Sequence, residues 1–164
     1  MILLTVGTQL PFDRLVVQVD RWAGAYAAEP VKAQIGPSTY TPVHLDCFDL
    51  IGPDEFRELQ RTARVIIAHA GMGSIMTAME FGVPIIIMPR LARMGEHRND
   101  HQLATARQFK GTPGVYVVQD EDELALQLEK IDTLTGAKGT GAQASSELID
   151  QLRAFIDGVG AVRA

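Results

Sequence analysis

Short, almost wholly apolar runs alternate along this chain with longer stretches in which apolar residues recur every three or four positions. Ile2 to Val6, Val31 to Ile35, Val65 to Ala68, Pro84 to Met88 and Val115 to Val118 read as strands covered on both faces, as in a parallel sheet. Val43 to Phe48 alternates instead, which suits a strand nearer the sheet edge. Between the runs the spacing predicts helices. Pro11 opens one to about Ala28, with Phe12, Leu15, Val16, Val19 and Trp22 on its buried face. Another runs from Pro53 to about Thr62, with Phe56 and Leu59 inward, and a third from Ile75 to Phe81, stopped by Gly82. A fourth spans Asn99 to Phe109, and Asp120 caps a fifth whose Leu124, Leu128 and Ile131 make a stripe. Strand and helix in turn predict an α/β domain over residues 1–132, a parallel sheet with helices on both faces. Residues 133–146, rich in Gly, Ala, Ser and Thr, read as a flexible linker. Residues 147–164 hold an amphipathic helix through Leu148, Ile149, Leu152, Phe155 and Ile156, which needs an apolar surface on its own domain or on another protein.

The richest chemistry lies between Val65 and Gln102. The apolar run stops at His69-Ala70-Gly71-Met72-Gly73-Ser74, where two glycines allow a tight turn and Ser74 is placed to cap the following helix. The next run ends at Pro89-Arg90, and a polar loop leads to Asn99-Asp100-His101-Gln102 at another helix start. In such a unit the loops leaving the carboxyl ends of strands line a ligand crevice, and free amides at a helix start favour a phosphate. The turn lacks the third glycine of a dinucleotide fingerprint, since position 76 is Met, and it lacks the Gly-Lys-Ser/Thr ending of a P-loop. Glu80 sits in an otherwise apolar helix, so its carboxylate lies either at the solvent edge or on hydroxyls such as those of a ribose. His97 and His101 are four apart and would share a helix face if the helix starts early enough, but no cysteine is near and a helix start repels a cation. Neither a metal nor a redox cofactor is therefore expected. Ser74 lacks the Gly-x-Ser-x-Gly setting of a hydrolase nucleophile.

Composition narrows the classes further. At 164 residues with 46% hydrophobic and 21% charged residues, the chain is globular and large enough for a real core. A net charge of −5 argues against nucleic acid or anionic lipid as a partner held by global charge. Cys47 stands alone, which excludes a disulfide framework and suits a reducing compartment. Met1 to Val6 lacks the basic flank of a signal peptide, and no segment approaches the roughly 20 apolar residues of a bilayer span. A cytoplasmic, soluble chain is expected, with any membrane role supplied by a partner.

With these residues assembled, the chain resembles the carboxyl-terminal, nucleotide-sugar-binding half of family 28 glycosyltransferases of the GT-B fold. The matching residues are Thr5-Val6-Gly7-Thr8 with Pro11 to Val16, His69-Ala70-Gly71-x-Gly73-Ser74, Glu80, Gly82-x-Pro84, Pro89-Arg90 and Gly95-Glu96-His97-x-Asn99-Asp100-His101-Gln102. The chain is most similar to the small subunits of split transferases, the last run lying nearer the bacterial exopolysaccharide type than the eukaryotic dolichol-linked one. The resemblance implies a Rossmann-like domain and a UDP-sugar donor touching Gly7, Thr8, His69, Gly71, Gly73, Ser74, Glu80, Pro89, Arg90, Glu96, Asn99, Asp100, His101 and Gln102. Gly71 to Ser74 would meet the diphosphate, Glu80 the ribose, and Asp100 and Gln102 the sugar. It implies an inverting, metal-free transfer of glucuronic acid, galactose or N-acetylglucosamine to a lipid-linked sugar acceptor. His69 and His101 are candidates for the catalytic base. A membrane-anchored subunit would hold the acceptor and bring this chain to the inner membrane face. Arg90, Arg93 and Arg98 crowd the sugar-side loop, where they would grip a donor carboxylate, serve the diphosphate or simply solvate the loop. The rival readings are a nucleotide-binding regulatory module without transfer chemistry, and another small-molecule enzyme on the same fold, such as a dehydrogenase.

Overall fold

A computed structural model describes residues 1–26 and 28–137. The helix expected over residues 147–164, and all of the expected linker beyond residue 137, lie outside the described residues. The elements run β1 (Ile2–Thr5), α1 (Asp13–Tyr26), β2 (Val31–Gln34), β3 (Asp46–Cys47), α2 (Pro53–Thr62), β4 (Val65–His69), α3 (Met72–Phe81), β5 (Ile85–Met88), α4 (His101–Phe109), β6 (Val115–Val117) and α5 (Glu121–Leu128). Short 3-10 turns occupy Ala92–Met94 and Ile131–Thr133.

The strands form one parallel sheet in the order β3-β2-β1-β4-β5-β6. Alternate strand residues feed two cores. Ile2, Leu4, Ile67, Ile86 and Met88 pack with Phe12, Leu15, Val16 and Val19 of the α1 side and with Leu124 and Leu128 of α5. Leu3, Ile66, Ala68, Ile85 and Ile87 pack on the opposite face with Ile75 and Ala78 of α3 and Ala106 and Phe109 of α4. Burial on both faces is why the strands read as unbroken apolar runs. The chain winds outward from β1 in one direction and from β4 in the other, so the winding reverses between these two neighbours. Loops leaving their carboxyl ends diverge there and leave a crevice.

One expected strand is far shorter than its pattern. Val43 to Phe48 alternates, yet only Asp46–Cys47 pairs with β2, at the expected sheet edge. The reason is Asp20 of α1, only 2% exposed, which accepts hydrogen bonds from the Val43 and His44 amides at 3.1 and 2.7 Å and from the Tyr40 hydroxyl at 2.7 Å. Those amides are donors that a strand would give to its ladder. Asp13 anchors the preceding turn, accepting from the Ser38 hydroxyl at 2.7 Å and from the Thr39 amide and hydroxyl. Residues 38–45 therefore form a strap along α1. At the other end of the chain, residues expected to begin the linker are held: the Tyr116 hydroxyl donates to the Thr135 carbonyl at 3.1 Å and accepts from its amide at 3.0 Å. No helix among the described residues is long and apolar enough to cross a membrane.

The strap gives the first testable expectation. Asp20→Ala removes an ionised acceptor of three donors, and hydrogen bonds to charged groups are each worth about 1.5–3 kcal/mol. Denaturant unfolding should show a loss of about 3 kcal/mol or more, with Asp20→Asn losing less. A loss below about 1 kcal/mol would show that the strap does not depend on this carboxylate.

Candidate functional site

Two adjoining cavities open at the carboxyl ends of the strands. The smaller, about 290 Å3, lies at the winding reversal between Val6 to Gln9 after β1 and His69 and Gly71 at the end of β4, and is closed by Arg90, His97, His101 and Gln102. The larger, about 550 Å3, shares Thr8 and Gln9 and extends over the ends of β2 and β3, with Ile35, Pro37, Phe48 and Leu50 giving it apolar walls. This second cavity is largely absent from the expected site residues. Its one visible sign in the sequence is the Gly36-Pro37-Ser38 loop, which turn chemistry explains equally well.

Backbone geometry shapes the floor. Gly7 takes φ +76°, and a Cβ there would come within 3.1 Å of the His69 ring. A side chain at Gly71 would run into the same ring. Helix α3 starts at Met72, with Gly71 as its N-cap in an extended conformation and no side chain capping it. This corrects the expectation of a Ser74 cap: Ser74 lies inside the first turn. The amides of Met72, Gly73 and Ser74 are left without an acceptor within the helix, which is what a bound anion exploits. Gly73 is exposed, and a Cβ added there meets nothing within 4 Å.

The loop after β5 is braced by its own polar groups. The Arg90 guanidinium, in a residue only 2% exposed, donates to the carbonyls of Val6 at 2.6 Å, Pro11 at 2.8 Å and Glu96 at 2.9 Å. It also stands 4.8 Å from the Phe12 ring centroid. Its backbone amide donates to Gln102 Oε1 at 3.1 Å. Arg90 thus lines the cavity with a guanidinium that already donates three hydrogen bonds to backbone carbonyls. Arg93 and Arg98 lie exposed on the same loop. Glu96 is committed too: its carboxylate is held by Arg14 at 2.6 and 3.1 Å and accepts the Leu91 amide at 2.8 Å. Asp100 accepts the Ala92 amide at 2.8 Å, and Asn99 Oδ1 accepts the His101 amide at 3.3 Å and contacts the His101 ring. The Pro89 carbonyl accepts from Arg14 at 2.7 Å. Of the expected residues in this loop, the structure brings Arg90, His101 and Gln102 to the cavity wall, with His97 beside them. Pro89, Glu96, Asn99 and Asp100 make the bracing bonds just described and are not in that lining. Arg14, absent from the expected set, is central to that bracing.

Glu80 is placed elsewhere. It sits eight residues beyond the start of α3, roughly 12 Å along the helix. There it pairs with Arg57 of α2 at 2.5 Å, with its side chain 51% exposed. Of the two options the sequence left open, the structure gives the solvent edge, with an arginine rather than a hydroxyl as partner.

Three imidazoles face this small cavity: His69, His97 and His101. The rings of His97 and His101 meet edge to face with centroids 4.4 Å apart. Burial pushes the His69 imidazole down to about 4, helped by the Arg90 guanidinium and by the other two histidines, with the Thr5 backbone acting in the opposite sense. Its Nδ1 is buried with no full hydrogen bond among the described residues. Burial, with His97 adding to it, also lowers His101. Near neutral pH His69 is therefore uncharged and a weak proton acceptor. No group of three or more His, Cys, Asp or Glu side chains among the described residues is arranged to hold a metal ion.

The family described as the glycosyltransferase family 28 C-terminal domain matches residues 1–152. Among solved structures, the glycotransferase of kitacinnamycin superimposes with a TM-score of 0.61 at 19% identity, over 93% of this chain and 39% of that one. The solution structure of ALG13 gives 0.57 at 16% identity, over 87% of this chain and 90% of that one. The Streptomyces sp. SF2575 glycosyltransferase SsfS6, complexed with thymidine diphosphate, gives 0.55 at 19% identity, over 93% and 35%. This chain therefore spans well under half the length of two of these three proteins. No curated protein matches it in sequence. At such identities the likeness establishes the fold, a Rossmann-like domain like the C-terminal half of GT-B glycosyltransferases.

The His69 environment predicts a pH dependence. The unfolded chain takes up a proton on this residue below its ordinary value near 6.5, while the folded protein does so only near 4. The unfolded state thus binds more protons across that window, so stability is complete above about pH 6.5 and is lost as pH falls toward 4. The loss attached to His69 should reach about 3 kcal/mol. His69→Gln should flatten the unfolding free energy between pH 6.5 and 4.5 relative to the wild type. His101 and the acidic groups contribute equally to both proteins, so parallel curves would exclude His69 as the source.

Proposed function

This chain belongs to the glycosyltransferase family 28 C-terminal domain family, and we propose that it is the donor-binding part of a transferase that moves a sugar from UDP to a lipid-linked acceptor. Family and fold are those of glycosyltransferases. The observation that carries the finer reading is the pair of adjoining cavities at the carboxyl ends of the strands, which share Thr8 and Gln9, with Gly71 of an uncapped helix start in the wall of the smaller one. Their shapes and chemistry divide the donor. The diphosphate lies against the Gly7-Thr8 turn and the amides of Met72 to Ser74. The base enters the larger cavity with its apolar walls, and the sugar lies toward His97, His101 and Gln102. An acceptor hydroxyl then attacks the anomeric carbon from the opposite side while the nucleoside diphosphate leaves, which inverts the centre. Charge growing on the leaving diphosphate is met by the helix amides, already aligned before reaction, so the reading needs no metal ion. Of the two imidazoles considered as base, His101 is the better suited, since His69 titrates far below neutral pH.

The acceptor side is assigned to a second protein. A GT-B enzyme closes two Rossmann-like halves around donor and acceptor, and the described residues form one such half. The exposed hydrophobic side chains Leu50 and Met94 stand on loops at the crevice end of the sheet, where that second half would meet it. We assign the partner a membrane anchor, because the acceptor is lipid-linked, and place the complex at the cytoplasmic membrane face.

Isothermal calorimetry with UDP tests the donor reading on this chain alone. Gly73→Val puts a branched side chain into space that is otherwise open, so it leaves the fold intact and blocks approach to the helix amides. UDP affinity should fall by about ten-fold or more, equivalent to at least about 1.4 kcal/mol. Absence of UDP binding to the wild type, or unchanged affinity in Gly73→Val, would overturn the assignment. Transfer to a lipid-linked acceptor should be nearly absent for the purified chain and appear on co-expression with a membrane-anchored partner. Efficient transfer without one would refute the division of labour.

A further inference from the structure

We infer that Arg14 and Glu96 form a positioning pair that sets the sugar-side wall of the crevice, and thereby sugar recognition, without touching the donor; the inference rests on the donor reading above. Arg14 lies in the first turn of α1, and its guanidinium reaches the Glu96 carboxylate through Nε at 2.6 Å and Nη2 at 3.1 Å. The same Nη2 donates to the Pro89 carbonyl at 2.7 Å, and Nη1 reaches Glu121 at the start of α5 at 3.3 Å. Glu96 Oε2 also accepts the Leu91 amide at 2.8 Å. One ion pair thus holds both ends of the loop from Pro89 to Glu96 against α1. The side chains are only 8% and 9% exposed, so water competes little for either partner.

The pair reaches the cavity through its neighbours. Arg90 follows the held Pro89, and its amide fixes Gln102 Oε1, whose side chain is in the cavity wall. His97 follows the held Glu96 and meets His101 ring to ring. A planar guanidinium bound to both carboxylate oxygens fixes orientation as well as distance, so slack in the pair passes to Gln102, His97 and His101 together. Arg14 and Glu96 themselves line neither cavity. The larger cavity takes its walls from residues 8–9, 35–37 and 47–50, and so shares nothing with this loop. Loosening the pair should therefore disturb the sugar and spare the nucleoside.

That asymmetry separates a positioning role from a purely structural one. An unfolded fraction lowers the apparent affinity for every ligand by the same factor, so the ratio of two affinities is blind to it. The experiment measures calorimetric affinities of UDP and of a panel of UDP-glucose, UDP-galactose, UDP-N-acetylglucosamine and UDP-glucuronate for the wild type, Arg14→Gln, Arg14→Lys and Glu96→Gln. The UDP-sugar that the wild type binds best relative to UDP is the reference. In Arg14→Gln and Glu96→Gln its advantage over UDP should fall by about ten-fold or more, while UDP itself changes less than about two-fold. Arg14→Lys, which keeps the charge but not the planar fork, should retain part of the advantage. An unchanged ratio in folded variants, or equal losses for UDP and UDP-sugar, overturns the inference. Failure of all three variants to fold overturns it as well, because the pair is then a stability element. A wild type that binds no UDP instead refutes the donor reading on which the inference rests.

Discussion

A buried cation holds the crevice end of this molecule together. The Arg90 guanidinium is surrounded by the carbonyls of Val6, Pro11 and Glu96, which come from the turn after β1, the approach to α1 and the loop after β5. Removing a cation from water is costly, and a guanidinium stays charged almost regardless of its surroundings. Burial pulls Arg90 down while Glu96 works the other way. Three carbonyl acceptors and the face of Phe12 replace the lost hydration. Because the acceptors belong to three separate segments, the cation can be satisfied only when all three are in place. The strands contribute to both cores, but strand packing does not specify how loops leaving neighbouring strands sit on one another. Arg90 does.

The same arrangement explains the electrostatics beside it. A fixed positive charge next to a desolvated imidazole keeps His69 neutral, so the turn after β4 carries no cation of its own. The anion-attracting features are then backbone amides at the start of α3 and the Arg90 guanidinium in the cavity wall. On the donor reading, the diphosphate is met by dipoles already fixed in place. Little reorganisation is needed when its charge grows, and that is where such sites gain their effect.

What the sequence revealed follows from how local each determinant is. The parallel sheet, its two-sided core and the β4-turn-α3 unit were legible because runs such as Ile66-Ile67-Ala68 and Ile85-Ile86-Ile87 record burial on both faces. The Pro53 start and the Asp120 cap were legible because each acts within one helical turn; Asp120 accepts the Glu123 amide at 2.9 Å. The strap was not, because Asp20 and His44 meet across 24 residues and nothing in the alternation of Val43 to Phe48 shows that its amides are already taken. The Glu80 pairing is hidden for a related reason: its partner Arg57 lies 23 residues upstream on α2. The loop from Pro89 to Gln102 is visibly polar and chemically dense in the sequence. Residue type alone, however, does not tell a side chain that touches a ligand from one that holds the loop. Arg90 and Glu96 have the composition of a ligand shell and the geometry of a scaffold.

That distinction bears on how one Rossmann-like half can serve different sugars. The nucleotide side of the crevice is built from strand ends and tight turns, including the Gly7 turn against His69 beside the diphosphate and the apolar wall of Ile35 and Phe48 beside the base. These positions are tied to the sheet register and leave little freedom. The sugar side is carried by a loop of irregular backbone whose position depends on side-chain ion pairs and on one buried arginine. A loop held this way can be repositioned by substitutions that never reach the ligand, while the sheet and the diphosphate site stay as they are. On the donor reading, specificity for the sugar is therefore a property of how α1 and the loop after β5 are pinned together. It follows that residues behind the wall, Arg14 foremost, belong to the determinants of specificity alongside the side chains that face the cavity.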